Sequence, residues 1–168
     1  VGRDDALYAA TPPLEALRAI ISFAGTITES GERREVMVND VRRAYFYAKI
    51  GRDVLIELPP EDPEYGSGKV GKLRLCLYGT RDAAKGWQET LSAHLVSLGF
   101  TRGVGHPSVF HHKKRKIMTL VHGDDYVSSG AGADMKWLEL ELAKAYEIKT
   151  QRLGVGDDLL REGKVLNR

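Results

Sequence analysis

Cysteine is nearly absent from this sequence. Cys76 is the only one in 168 residues, which excludes an internal disulfide framework and any multi-cysteine zinc site. Its flanking residues, Leu75 and Leu77, mark it as a buried apolar thiol rather than a nucleophile. Long hydrophobic runs are missing too. No stretch approaches the roughly 20 apolar residues that a helix needs to cross a bilayer, and no signal peptide is visible. Nor does one sign of charge prevail: 25 basic and 23 acidic residues leave a formal net charge of +2. Bulk charge therefore neither requires nor excludes a nucleic-acid partner. A hydrophobic fraction of 42% with 29% charged residues is ordinary for a globular chain with a core. There is no internal repeat and no low-complexity tract. The chain opens on Val1 rather than Met and is expected to be a segment of a longer polypeptide.

What the sequence does contain is two adjacent carboxylates in Val121-His122-Gly123-Asp124-Asp125-Tyr126. They follow the β-forming run Ile117–Val121, and Gly123 stands where a tight turn between strands is expected. Like charges a few ångströms apart repel unless a cation neutralises them. The stretch is either a solvated Gly-Asp turn or half of a divalent-metal site, and the second requires another carboxylate from elsewhere in the chain. Asp40 is a candidate. Period-two alternation in Glu35–Val41 puts it at the end of the row Val36, Val38.

The remaining elements follow from periodicity and breakers. Thr11 is placed to cap a helix with Pro12 in its first turn, Leu14, Leu17, Ile21 and Ala24 on its apolar side, and Gly25 as its stop. Ala44-Tyr45-Phe46-Tyr47 lies too close to the preceding strand to be an independent element and is expected to pack in the core. Short strands are expected at Val54–Leu58 and Lys72–Leu75, separated by a loop rich in Pro, Gly and Ser. A helix follows over Asp82–Leu98 with Trp87, Leu91, Leu95 and Leu98 on one face. Ser108–His112 and Ile117–Val121 flank the basic run Lys113-Lys114-Arg115-Lys116, read as a solvated hairpin tip or as a phosphate contact. His111 and His112 have no second pair of ligands at zinc spacing. A strand at Tyr126–Ser128, a helix after Asp134, a strand at Glu147–Lys149 and a last strand beginning at Val165-Leu166 complete the order. It predicts an α+β fold with a mainly antiparallel sheet covered by helices on one face.

Asp40, Asp124 and Asp125 converge if their strands are neighbours. Three carboxylates around one cleft suit two divalent cations about 3.5–4 Å apart, the arrangement used for in-line nucleotidyl transfer. Magnesium favours such hard oxygen ligands. Further segments then form a pattern. Asp40-Val41-Arg42-Arg43-Ala44-Tyr45-Phe46 is similar to the motif D-V-x-x-A-[FY]. Leu77-Tyr78-Gly79-Thr80-Arg81-Asp82-Ala83-Ala84-Lys85-Gly86-Trp87 resembles L-Y-G-L-K-Q-A-P-R-x-W. Leu98-Gly99-Phe100 and then Pro107-Ser108-Val109-Phe110 look like L-G-F and D-P-[CS]-V-F, and His122-Gly123-Asp124-Asp125 stands in the place of Y-V-D-D. Tyr146-Glu147-Ile148-Lys149 through Leu153-Gly154 is similar to F-x-M-x-D-L-G, and Pro13–Arg18 is similar to the helix before the first motif.

Over nearly its whole length, in order and spacing, the chain resembles the reverse transcriptases of copia-type retrotransposons. The resemblance implies a polymerase palm-type fold with partial fingers. Residues 1–168 would form an incomplete fingers–palm domain, the palm lying mainly in 35–50 and 77–152 and the end of the palm with the primer-grip region in 153–168. It implies an RNA-directed DNA polymerase from a Pol polyprotein, transferring nucleotides from dNTPs to a primer 3′-hydroxyl. Asp40, Asp124 and Asp125 would be both catalytic residues and ligands of two Mg²⁺ ions, or of Mn²⁺ in their place. Tyr45 would lie beneath the incoming sugar and exclude a 2′-hydroxyl. Tyr78 and Gly79 would line the dNTP pocket, and Lys149 would assist the pyrophosphate. Partners would be an RNA template, a DNA primer and nascent strand, dNTPs, and the integrase and RNase H regions of the polyprotein, with no membrane. The setting would be inside the cell, in cytoplasm or nucleus. Upstream fingers, thumb and RNase H segments would lie outside Val1–Arg168, and activity would depend on them. Two departures stand out: Asp82 and Ala84 replace the family's Gln and Pro, and His122-Gly123 replaces aromatic-Val. Two other readings remain open. One is an inactive or repurposed retroelement remnant with a nucleic-acid surface. The other is an RNA-directed RNA polymerase, prompted by Gly123-Asp124-Asp125, for which Tyr45 would discriminate.

Overall fold

The structure, a computed structural model, describes residues 12–164. Thr11 and the strand expected at Val165-Leu166 lie outside the described residues. In chain order the elements are α1 (Leu14–Ala24), β1 (Arg34–Val41), a 3-10 turn at Ala44–Tyr47, β2 (Leu55–Glu57), β3 (Val70–Lys72), α2 (Ala83–Ser97), β4 (Thr101–Arg102), β5 (Val109–His112), β6 (Ile117–His122), β7 (Asp125–Ala131), α3 (Gly132–Ala145) and β8 (Ile148–Leu153). Two compact units divide them. One is Arg43–Thr90; the other comprises residues 12–42 and 91–164, with the boundary falling inside α2.

The larger unit is built on a six-stranded sheet in the order β4-β5-β6-β7-β1-β8, with every pairing antiparallel. The first strand therefore lies inside the sheet, between strands from near the chain's end. Its sequence explains that position. Val36 and Val38 are apolar on one face and Met37 and Val41 on the other, the pattern of a strand covered on both sides. Ala16, Leu17 and Ile20 of α1 pack with Leu120, Val127 and Val36 on the first face. Against the opposite face stands α3: a Cβ on Gly130 would come within 2.9 Å of the Met135 methyl. Helices thus cover both faces, which corrects the expectation of one covered face. The physical reason is the two-sided apolar pattern of β1.

Details differ in instructive ways. The face that α1 buries runs through Ala16, Leu17 and Ile20, leaving Ile21 at 52% exposure. Adjacent isoleucines at 20 and 21 let periodicity alone favour the wrong one. Ala44–Tyr47 does form its own element, because Arg43 enters the left-handed region at φ 55° and turns the chain sharply after β1. The two-residue β4 is too short to leave a sequence pattern.

The basic hairpin tip has a structural part. Arg115 lies 3.9 Å over the Trp137 ring and donates a 2.7 Å bond to Asp134 Oδ1, while Lys113 and Lys114 are exposed. His112 is buried, with Nε2 3.1 Å from the Leu98 carbonyl oxygen and its ring edge-on to Phe100 and Trp137. It is a packing residue.

His94 gives a pH prediction. Burial pushes its pKa below the usual histidine value, against a smaller opposing effect of Glu141. The unfolded chain takes up a proton near pH 6.5, whereas the folded chain resists it to lower pH. Stability is therefore expected to fall as pH drops from about 6.5 through the folded-state pKa. His94→Gln should flatten that part of a melting-temperature profile, and an unchanged slope would show that another group titrates there.

In the smaller unit β2 and β3 form a two-stranded antiparallel sheet. Trp87 is buried there, its ring centroid 6.3 Å from that of Tyr47. Cys76 is buried as expected, and burial raises its pKa, keeping it a thiol.

Candidate active site

Asp40, near the end of β1, is the register partner of Asp125 on β7 and of Lys149 on β8. Directly opposed residues in antiparallel strands project from the same face, with Cβ atoms roughly 4.5–5.5 Å apart. His122 on β6 is in turn opposite Asp125. The sheet thus carries a row His122, Asp125, Asp40, Lys149: two acids flanked by a histidine and a lysine. One step inward, the next row is Leu120, Val127, Val38 and Gln151. The acids begin where the apolar face under α1 stops.

Asp124 occupies the turn. Pairing of His122 with Asp125 leaves a two-residue loop, Gly123-Asp124, in which Gly123 has φ 60° and Asp124 is not among the residues of positive φ. A positive φ at the first central residue only is the pattern of a type II′ hairpin turn, where glycine is favoured. A Cβ at 123 would meet nothing within 4 Å, so the demand for glycine is conformational. The turn is tied to β1, since the Val41 amide donates a 3.0 Å bond to the Asp124 carbonyl oxygen. That bond brings the third acid beside the first two.

Charge is crowded here. The Asp125 carboxyl is held above the usual carboxylate range, first by burial and then by Asp124 and Asp40, while His122 works the other way. Asp40 is exposed and Asp124 half-buried. Among the described residues no three His, Cys, Asp or Glu side chains stand gathered around one point. The backbone juxtaposes the donors without closing their oxygens into a cage. In chemistry they fit a hard divalent cation, because hard oxygen donors whose charges repel are stabilised by one.

Behind the acids, Asn39 is fully buried and donates a 2.8 Å bond from Nδ2 to Thr150 Oγ1, fastening β1 to β8. At the end of β1, Arg42 Nη1 donates to Glu147 Oε1 at 2.7 Å. Neither contact was expected from the sequence. A buried asparagine between Val38 and Asp40 was the available signal for the first, and the second left none.

Tyr45, Tyr78 and Gly79 belong to the other unit. The half-buried Tyr45 ring lies 4.4 Å, centroid to centroid, from Tyr78, whose edge contact with Phe46 is at 6.0 Å. Gly79 has φ 86° and a Cβ there would touch nothing within 4 Å. Asp82, where the family motif has Gln, accepts a 3.2 Å bond from Arg52 Nε.

Residues 7–160 match the family described as reverse transcriptase (RNA-dependent DNA polymerase). The retrovirus-related Pol polyprotein from transposon RE1 of Arabidopsis thaliana is 32% identical over 98 residues, covering 54% of this chain and 6% of the relative. The transposon Ty1-DR1 Gag-Pol polyprotein of Saccharomyces cerevisiae is 29% identical over 120 residues, covering 71% of the chain and 7% of the relative. The chain belongs to the reverse transcriptase family of copia-type retrotransposons. It spans a tenth or less of the length of these polyproteins and of a truncated Ty1-A Gag-Pol polyprotein, 28% identical to it over 120 residues. As a reverse transcriptase segment it departs from the motif aromatic-Val-Asp-Asp in a way the turn explains. A β-branched valine at φ near +60° would carry strain of about 1–3 kcal/mol, which Gly123 avoids. No helix among the described residues of this reverse transcriptase segment is long and apolar enough to cross a membrane.

Proposed function

We propose that Asp40, Asp124 and Asp125 form the catalytic centre of an RNA-directed DNA polymerase acting within a Pol polyprotein. The observation that carries this reading is the direct register of Asp40 with Asp125, with the Asp124 turn hydrogen-bonded to Val41. Asp40 and Asp124 would be the main ligands of two Mg²⁺ ions and Asp125 would complete the set. When bound, the ions supply Lewis-acid activation of a primer 3′-hydroxyl and neutralise charge on a dNTP triphosphate. The protein's own residues orient the reactants. Lys149, at the far end of the acidic row, places a cation where it attracts the departing pyrophosphate. Tyr45, braced by Tyr78, presents a flat ring that excludes a ribose 2′-hydroxyl, and the turn at Gly79 shapes the dNTP pocket. In this reading the palm lies mainly in 35–50 and 77–152, and the end of the palm with the primer grip in 153–168. RNA template, DNA primer and the integrase and RNase H regions of the polyprotein are its partners.

Primer extension on an RNA template with Mg²⁺ tests the reading, and Tyr45→Val tests the sugar assignment within it. Removing the ring is expected to raise ribonucleotide incorporation relative to deoxynucleotide by about 10- to 100-fold, the scale on which a pocket discriminates by size. Unchanged sugar selectivity would remove Tyr45 from the assigned role.

A further inference from the structure

The strand that carries Lys149 lies at the end of the six-stranded order, with β1 as its strand neighbour. None of its residues, Ile148–Leu153, is fully buried, so apolar burial specifies its register only weakly. Polar side chains take over that task. Asn39 and Thr150 are direct register partners, joined by the 2.8 Å bond from Asn39 Nδ2 to Thr150 Oγ1. By period-two alternation this bond lies on the face turned away from Asp40 and Lys149. Further along the same face Arg152 Nε donates to Glu35 Oε2 at 3.0 Å, with both side chains 15% exposed. A third pair, Arg42–Glu147, is exposed and contributes little in water.

Asn39 is the one of these six residues that is completely buried. Its Oδ1 has no partner among the described residues, so the bond to Thr150 is what anchors the amide. A shift of β8 by one residue would turn Lys149 onto the face that carries Asn39. A shift by two would set Asn39 opposite Ile148 or Arg152 and Asp40 opposite Glu147 or Gln151. Either shift breaks the bond, and a buried amide without a partner bears its full desolvation cost. The bond stands one residue from the pair that it aligns. We propose that Asn39 and Thr150 are positioning residues that set Lys149 opposite Asp40 in the acidic row. The action of Lys149 on pyrophosphate rests on the polymerase reading above; the dependence of its place on this bond does not.

The double variant Asn39→Leu/Thr150→Val replaces both partners by apolar groups of similar shape, a change that leaves stability nearly unaltered. In the metal-free chain its Ile148–Leu153 amides should exchange with solvent at least about tenfold faster, because local opening of the strand is easier. The β6 and β7 amides should keep their rates. In primer extension the same variant is expected to lose about 10- to 100-fold in kcat, the scale of a misplaced group, at unchanged KM for the primer–template. Introduced into Lys149→Ala, it should cost no more than about twofold further, since a pair acting through Lys149 then has nothing left to place. The swapped pair Asn39→Thr/Thr150→Asn, which restores the bond with its donor on β8, should recover kcat. Unchanged exchange in β8 of the double variant overturns the proposal. A loss of kcat as large in Lys149→Ala as in wild type overturns it too, because it assigns the pair to the fold alone, as does a swapped pair as slow as the double variant. Wild-type extension by Lys149→Ala itself would instead remove the role of Lys149, and the exchange rates would still decide whether the bond sets the register.

Discussion

Asp124→Asn is expected to lower primer extension by at least about 10³-fold without disturbing the fold. A carboxylate ligand in a two-metal site supplies several kcal/mol of charge stabilisation in the transition state. Losing about 4 kcal/mol of it corresponds to about 10³-fold in rate. The backbone of Asp124 bonds to Val41 through its carbonyl oxygen, and asparagine keeps that bond, so the hairpin should stay docked. Asp40→Asn should be equally severe. The separate readout is Mn²⁺, whose paramagnetism broadens the amide resonances of nearby residues. Wild-type protein should lose the signals around residues 40 and 123–126 on Mn²⁺ addition, and Asp124→Asn should keep them at the same concentration. Full extension by the Asn variant, with broadening unchanged, would falsify the catalytic assignment.

The second large effect concerns stability. Leu138, on α3, is fully buried, whereas Leu140 two positions on is 63% exposed. Leu138→Ala removes three heavy atoms from a packed face and leaves a cavity, at a cost of about 2–5 kcal/mol. Leu140→Ala should stay within about 0.5 kcal/mol of wild type. Against a stability of about 5–15 kcal/mol, the first loss is large. Urea unfolding followed by tryptophan fluorescence should show a midpoint lowered by roughly 1 M or more for Leu138→Ala, taking a denaturant slope of about 1–3 kcal/mol per molar. Equal midpoints for both variants would mean that α3 does not cover the sheet.

Much of this was legible in the residues. Alternation in Val36-Met37-Val38 announced β1, and Asp40 stood at the end of its row. Gly123 announced the turn between β6 and β7 that carries Asp124. What alternation could not convey is adjacency. Nothing local in Asp40 or Asp125 says that β1 pairs with β7, since register is decided by partners distant in sequence. The helix face of α1 was misread by one position because Ile20 and Ile21 are equally apolar. The second cover of the sheet was missed because the alternation in β1 draws attention to the Val36, Val38, Asp40 row, while Met37 and Val41 lie on the other face. The turn at Gly123, by contrast, supplied its own physical reason for departing from the family pattern.

The place of β1 in the sheet also governs when the acidic row can exist. Strands β4 to β7 form a run in which each pairs with the next, so they can assemble by short loop closures. β1 is made before β7 and β8, yet has no neighbours in this sheet until they have left the ribosome. Its insertion closes a long chain loop, a step whose entropic cost slows folding. The hairpin bearing Asp124 and Asp125 can therefore form by itself, but the row they share with Asp40 comes into being only at that late closure. Acquisition of the complete acidic row is, on this topology, a clock for the closure of this sheet.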